Sequence, residues 1–108
     1  MMNKTTKIGY DYHGVLDVQY WMQVKAYADA HRSNTEVYII TKGSKKIDGK
    51  AIYKLAYMLD IPDENIYFTD GEPKSPIINE LGIEWYYDDK PENKEEIEAN
   101  SNCKVYIV

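Results

Sequence analysis

The stretch Lys7-Ile8-Gly9-Tyr10-Asp11-Tyr12-His13-Gly14-Val15-Leu16 decides the fold. Residues 7–12 read as a strand running into an acidic residue and a glycine turn, and the chain beyond alternates helix and strand. Residues 18–31 read as a helix with Trp21, Val24 and Ala28 on one face, so Trp21 is taken first as a core residue. Residues 36–41 (Glu-Val-Tyr-Ile-Ile-Thr) are rich in the β-branched and aromatic types that fit a pleated surface. From about residue 48 to 59, Ile52, Leu55, Ala56 and Leu59 recur at helical spacing. Residues 65–69 form a third strand. Residues 75–81 form a helix with Ser75 as N-cap, Pro76 at its first position and Gly82 just past its end. A fourth strand at 83–87, an acidic helix at 92–99 and a final strand at 104–108 complete the series.

Strands alternating with helices mean βαβ units. The expected fold is a single α/β domain over residues 1–108, a three-layer, doubly wound, Rossmann-like parallel sheet of five strands. Right-handed crossovers restrict the strand order to a few layouts. In such sheets the ligand crevice lies at the carboxyl ends of the strands, at the topological switch point. Functional residues are therefore expected just after Tyr12, Thr41, Thr69 and Tyr87.

Composition bounds the function. The 108 residues, 44% hydrophobic and 29% charged, describe an ordinary globular chain. A net charge of −5 argues against a module that holds nucleic acid through a broad basic surface. The single cysteine, Cys103, excludes an intrachain disulfide and any CxxC motif, and fits an inert core or edge position. Two histidines and one cysteine are too few for a typical structural zinc site. No apolar run reaches the roughly 20 residues of a membrane span. The polar residues 1–7 lack a secretory h-region. The Asn3-Lys4-Thr5 triplet, a glycosylation-type match, is accordingly read as chance, and the expected location is cytoplasmic.

The residues closing the strands form a chemically coherent set: Asp11 and His13 after the first, Thr41 closing the second, Lys74 beyond the third, Asp88 and Asp89 after the fourth. Carboxylates converging on one point repel one another unless a hard cation lies between them, and Mg2+ takes carboxylate, water and phosphate oxygens. A threonine hydroxyl, turn amides and a lysine would cradle phosphoryl oxygens. The set points to phosphoryl transfer assisted by a divalent metal. Lys42, Lys45 and Lys46 compete with Lys74 for the lysine role. Asp88 and Asp89 also suit the cap of the following helix.

In order and spacing these segments resemble the haloacid dehalogenase-like hydrolases. The strand followed by Asp11-Tyr12-His13-Gly14-Val15 is similar to that superfamily's first motif, Thr41 to its second, Lys74 before the 75–81 helix to its third, and Asp88-Asp89 to its acidic fourth. The resemblance implies an Mg2+-dependent phosphatase in which Asp11 is the nucleophile forming an aspartyl-phosphate. It implies a metal held by Asp11, the main-chain carbonyl of His13 and Asp89, with Asp88 as a water-mediated partner. Thr41 would bind a phosphoryl oxygen, and Lys74 would neutralise Asp11 and the phosphate. His13 stands where the family carries a second aspartate for proton transfer. An imidazole there is either an alternative acid–base group or the mark of an impaired relative that only binds a phosphorylated ligand or protein partner. No stretch is long enough for a cap domain, so an open site is expected. That suits a phosphomonoester on a nucleotide or polynucleotide end, with Tyr12, Tyr20 and Trp21 near enough in sequence to stack. A phosphoacceptor receiver domain fits poorly, because its acidic pair follows the first strand rather than the fourth.

Overall fold

The computed structural model describes residues 4–108, so Asn3 of the glycosylation-type triplet lies outside the described residues. The strands β1 (Thr6–Tyr10), β2 (Thr35–Thr41), β3 (Ile66–Phe68), β4 (Trp85–Asp88) and β5 (Lys104–Ile107) form one sheet in the order β3-β2-β1-β4-β5. Every neighbouring pair is parallel. The helices α1 (Tyr20–Ala30), α2 (Lys45–Met58), α3 (Ser75–Leu81) and α4 (Pro91–Asn100) connect them. The expected Rossmann-like α/β sheet is thus the observed one, and no cap domain is evident among the described residues. No described helix is long and apolar enough to cross a membrane.

Strand alternation divides the buried side chains into two cores. Ile8, Tyr10, Val37 and Ile39 pack with Met22 and Ala26 of α1 and Ile52 and Ala56 of α2. Tyr38, Ile40, Tyr86 and Val105 pack with Ile78 of α3 and Ile97 of α4. From β1 the chain steps outward through β2 to β3, then returns past β1 to place β4 on its other side. The carboxyl ends of β1 and β4 therefore flank the switch point, where a parallel sheet opens a crevice. Asp11 follows the last residue of β1, and its amide donates to the Tyr87 carbonyl at 2.9 Å, tying the two strand ends together.

Several expectations need correction. Trp21, Val24 and Ala28 lie on the outer face of α1: Trp21 is 56% exposed and Val24 51%, and Ala28 is exposed as well. The buried face carries Met22, Ala26 and Asp29 instead. The reason is chemical, because the Tyr10 hydroxyl donates to Asp29 at 2.5 Å and so admits an acid into the core. The helix α2 begins at Lys45 rather than near residue 48, because Ser44 caps it by accepting from the Ile47 amide at 3.1 Å. Ser75 does not cap α3. Its hydroxyl donates to Glu96 and its amide bonds the same carboxylate, stitching α3 to α4. Gly82 closes α3 in the left-handed conformation (φ 76°), as its place in the sequence suggests.

Candidate active site

The strand β1 ends at Tyr10, and residues Tyr12–Leu16 turn back in a loop that the Asp17 amide closes by donating to the Tyr12 carbonyl at 3.1 Å, with His13 and Gly14 in non-helical conformations. Asp11 is thereby fixed at the strand end, 5% exposed. Its Oδ1 accepts from the Tyr12 amide and from Lys74 Nζ, both at 2.9 Å. Among the described residues no donor reaches its Oδ2.

Lys74 is 1% exposed, an unusual state for a lysine, and its surroundings explain it. Its ammonium donates to Asp11 Oδ1 at 2.9 Å, to Asp88 Oδ2 at 3.0 Å and to the Tyr86 hydroxyl at 2.7 Å. All three protons are used. Tyr86 in turn donates to the Ile40 carbonyl at 2.6 Å. Its ring lies against β1 where a Cβ on Gly9 would come within 2.7 Å of it, so glycine at that position makes room for the tyrosine. Burial, with Asp11 and Asp88 adding, holds the Tyr86 hydroxyl well above the usual tyrosine range, and it stays a neutral donor.

Asp88 is fully buried and fully bonded. Besides Lys74 it accepts from the Lys90 amide at 2.9 Å and from Asn93 Nδ2 at 3.1 and 3.2 Å. Asp89 differs, because its Oδ1 is buried with no hydrogen-bond partner. One ligand oxygen from each of Asp11, Asp88 and Asp89 lies within 4.8 Å of the other two. Burial pushes the Asp11 carboxyl up to about 6, with Lys74 pulling it down and Asp88 pushing it up. Gly14, in the left-handed region at φ 82°, presses its backbone on Asp89, and a Cβ there would lie 2.1 Å from Oδ2. Glycine and aspartate therefore belong to one construction. Thr41, fully buried, accepts from the Gly43 amide at 3.1 Å through its hydroxyl.

Of these groups Asp11, Thr41 and Lys74 line a cleft of about 300 Å3, together with His13, Lys42, Lys90, Glu92 and Asn93. His13 is half exposed. Its Nε2 lies 3.3 Å from Asp48 and its Nδ1 3.8 Å from Asp17. The structure thus brings Asp11, Thr41, Lys74, Asp88 and Asp89 to one end of the sheet, with His13 on the wall. Lys42 lines the cleft but pairs with none of the three carboxylates, and Lys45 and Lys46 do not line the cleft. The β3 end contributes less than expected, because Thr69 turns its hydroxyl onto the Glu72 carbonyl of its own turn. Sequence reasoning gave no role to Tyr86 or Asn93. The position of Asn93, five residues beyond Asp88 and in the first turn of α4, was the available signal.

The residues suit a small divalent cation. Mg2+ binds oxygens at about 2.1 Å in an octahedron, which sets its ligands roughly 3–4 Å apart. Three carboxylates against one ammonium leave two net negative charges, and the orphaned Asp89 oxygen is a ligand atom without a partner. No protein-family model matches the chain, and no curated protein matches it.

Proposed function

We propose that the protein is a cytoplasmic, Mg2+-dependent phosphohydrolase of the haloacid dehalogenase-like type, acting on a phosphomonoester through Asp11. One observation carries the reading. A buried lysine is spent entirely on Asp11, Asp88 and Tyr86, while the neighbouring Asp89 keeps an unpaired buried oxygen. A purely structural cluster satisfies its buried acceptors.

Asp11, Asp89 and the main-chain carbonyl of His13 would hold the ion, with Asp88 behind them. When bound, the ion supplies positive charge against the phosphoryl oxygens. Lys74 holds Asp11 Oδ1, which orients the carboxylate and leaves Oδ2 to attack phosphorus. The Thr41 hydroxyl meets a phosphoryl oxygen from the cleft floor, while Lys74, its protons committed, contributes positive charge through Asp11. Water then releases phosphate and regenerates Asp11. The open cleft, with exposed Lys42 and Lys90 beside Glu92 on its walls, supports a phosphate carried on a nucleotide or a polynucleotide end.

The test is phosphate release from a panel of phosphate esters, with Mg2+ and with chelator. The expected outcome is Mg2+-dependent release that Asp11→Asn abolishes. Release that persists unchanged in Asp11→Asn overturns the mechanism. Mg2+-dependent binding of a phosphorylated ligand with no turnover on any ester replaces it with a binding function.

A further inference from the structure

One side of β4 and β5 is left open. Side chains alternate along a strand, so Trp85, Tyr87, Lys104 and Tyr106 point to the side on which α1 and α2 pack over β1 and β2. There the helices bury Ile8, Tyr10, Val37 and Ile39, but Trp85 remains 39% exposed and Tyr106 41%. Parallel sheets are almost always covered on both faces, so an aromatic face left open on one calls for an occupant.

The open side is an ordered surface. Tyr10, Tyr87 and Tyr106 form a row across β1, β4 and β5, with centroids 5.0 and 5.5 Å apart and rings tilted by only 21° and 22°. The row begins in the core at Tyr10 and reaches the sheet edge at Tyr106. Lys25 stands 4.5 Å over the Tyr87 ring, and Lys104 lies 5.9 Å from the centre of the Tyr106 ring. Beside the row is a hollow of about 220 Å3 walled by Ile8, Lys25, Arg32, Trp85, Tyr87 and Tyr106, with no carboxylate among them. The nearby Asp29 is buried, and its charge is already met by Lys25 and Arg32.

Charge and shape select the occupant. A second copy of the chain related by a twofold axis would press a patch carrying Lys25, Arg32 and Lys104 against its own copy, cation to cation. An apolar helix would cover those cations without pairing them. A single strand of nucleic acid supplies planar bases for the exposed rings and phosphates for the cations. The net charge of −5 excludes a broad basic surface, not a short stacking site with cations of its own.

We propose that the open side of β4 and β5 binds single-stranded nucleic acid over a few nucleotides, with Trp85 and Tyr106 stacking on bases and Arg32 and Lys104 meeting phosphates. None of these residues lines the strand-end cleft, so the site stands whether or not that cleft hydrolyses an ester.

The test is titration calorimetry, in chelator, with thymidylate and uridylate octamers that carry hydroxyls at both ends. Neither offers a terminal phosphate to the cleft, and comparing them shows whether the strand is DNA or RNA. At least one octamer should bind, more weakly as salt is added. Tyr106→Leu, which keeps apolar bulk and removes the ring, should weaken binding by about 10-fold or more, and Trp85→Ala by a similar factor. Tyr106→Phe should keep the affinity, because stacking needs the ring and not the hydroxyl. Lys104→Ala should weaken binding and lower the slope of log affinity against log salt by about 0.7. Trp21→Ala removes an exposed tryptophan from α1 and should bind as the wild type does. Circular dichroism checks the fold of each variant, and the Tyr106 pair decides if Trp85→Ala does not fold. Failure of both octamers to bind overturns the proposal, as does an affinity that Tyr106→Leu leaves unchanged. A dimer seen by sedimentation that Tyr106→Leu dissociates also overturns it, because a second copy then covers the face.

Discussion

Two lysines, Lys74 and Lys25, each sit between a buried aspartate and a tyrosine hydroxyl, and the two clusters balance their charge in opposite ways. At the strand ends Lys74 is the one cation among Asp11, Asp88 and Asp89. Under α1, Asp29 is the one anion among Lys25 at 2.6 Å, Arg32 at 3.3 Å and the Tyr10 hydroxyl at 2.5 Å. Lys25 is partly exposed and also lies 4.5 Å over the Tyr87 ring. The second cluster leaves no buried acceptor open, whereas the first leaves an Asp89 oxygen open and carries excess negative charge. The α1 cluster is complete as it stands, whereas under the proposed function a cation would complete the strand-end cluster. On that reading, excess charge together with an unmet acceptor, rather than burial of charge, distinguishes the two.

Removing each lysine gives the largest contrast. Lys74→Ala leaves Asp11 and Asp88 buried without their cation and should cost about 3–5 kcal/mol in urea unfolding with chelator present. Lys25→Ala should cost about 1 kcal/mol or less, because Asp29 keeps Tyr10 and Arg32 and the lost pair is partly solvated. Equal costs would erase the distinction between the clusters.

A smaller effect follows from pH. The Asp11 carboxyl stands near 6 in the folded chain, above its ordinary value of 3.8, with burial as the leading cause. A raised carboxyl pKa favours the protonated folded form. Its contribution is full below the unfolded pKa and is lost as pH rises through about 6. At about 1.4 kcal/mol per pKa unit the loss is at most about 2–3 kcal/mol between roughly pH 4 and pH 7. Glu84 and Glu98, held below the usual range mainly by hydrogen bonds to the Lys4 side chain and the Val105 amide respectively, act in the opposite sense. The difference between wild type and Asp11→Asn, measured in chelator across that window, isolates the Asp11 part. Wild-type stability should decline with rising pH relative to the variant, and parallel curves would refute the shift. In the other cluster, Asp29→Ala strands the buried Tyr10 hydroxyl and should cost about 1–3 kcal/mol, with no change in the response to Mg2+.

How much of this was legible in the sequence depended on where each residue's partner lies. The strands and the α3 boundaries could be read because β-branched runs, Pro76 and Gly82 act through their own backbone. Asp11, Thr41, Lys74, Asp88 and Asp89 could be picked because each closes or follows a predicted strand, and a parallel sheet gathers such positions. On α1 hydropathy points to the wrong face, because it ranks Trp21 and Val24 above Ala26 and Asp29. What buries Asp29 is the Tyr10 hydroxyl, nineteen residues away. Tyr86 and Asn93 were assigned no role for the same reason, since their partners Lys74, Ile40 and Asp88 meet them only in the folded sheet.

The smallest effect tests the open acceptor itself. In metal-free protein the Asp89 carboxylate carries a buried oxygen without a donor and stands beside two other acids. Substitution of such a group relieves desolvation and repulsion, so Asp89→Asn should leave metal-free stability unchanged or raise it by up to about 1 kcal/mol. A fully bonded structural aspartate would show the opposite sign. Mg2+ should raise the Tm of the wild type, because a ligand that binds only the folded state stabilises it. Asp89→Asn should lose that rise while Asp29→Ala keeps it. A variant that is less stable without metal and still stabilised by Mg2+ would place Asp89 with Asp29, among the residues that hold the fold.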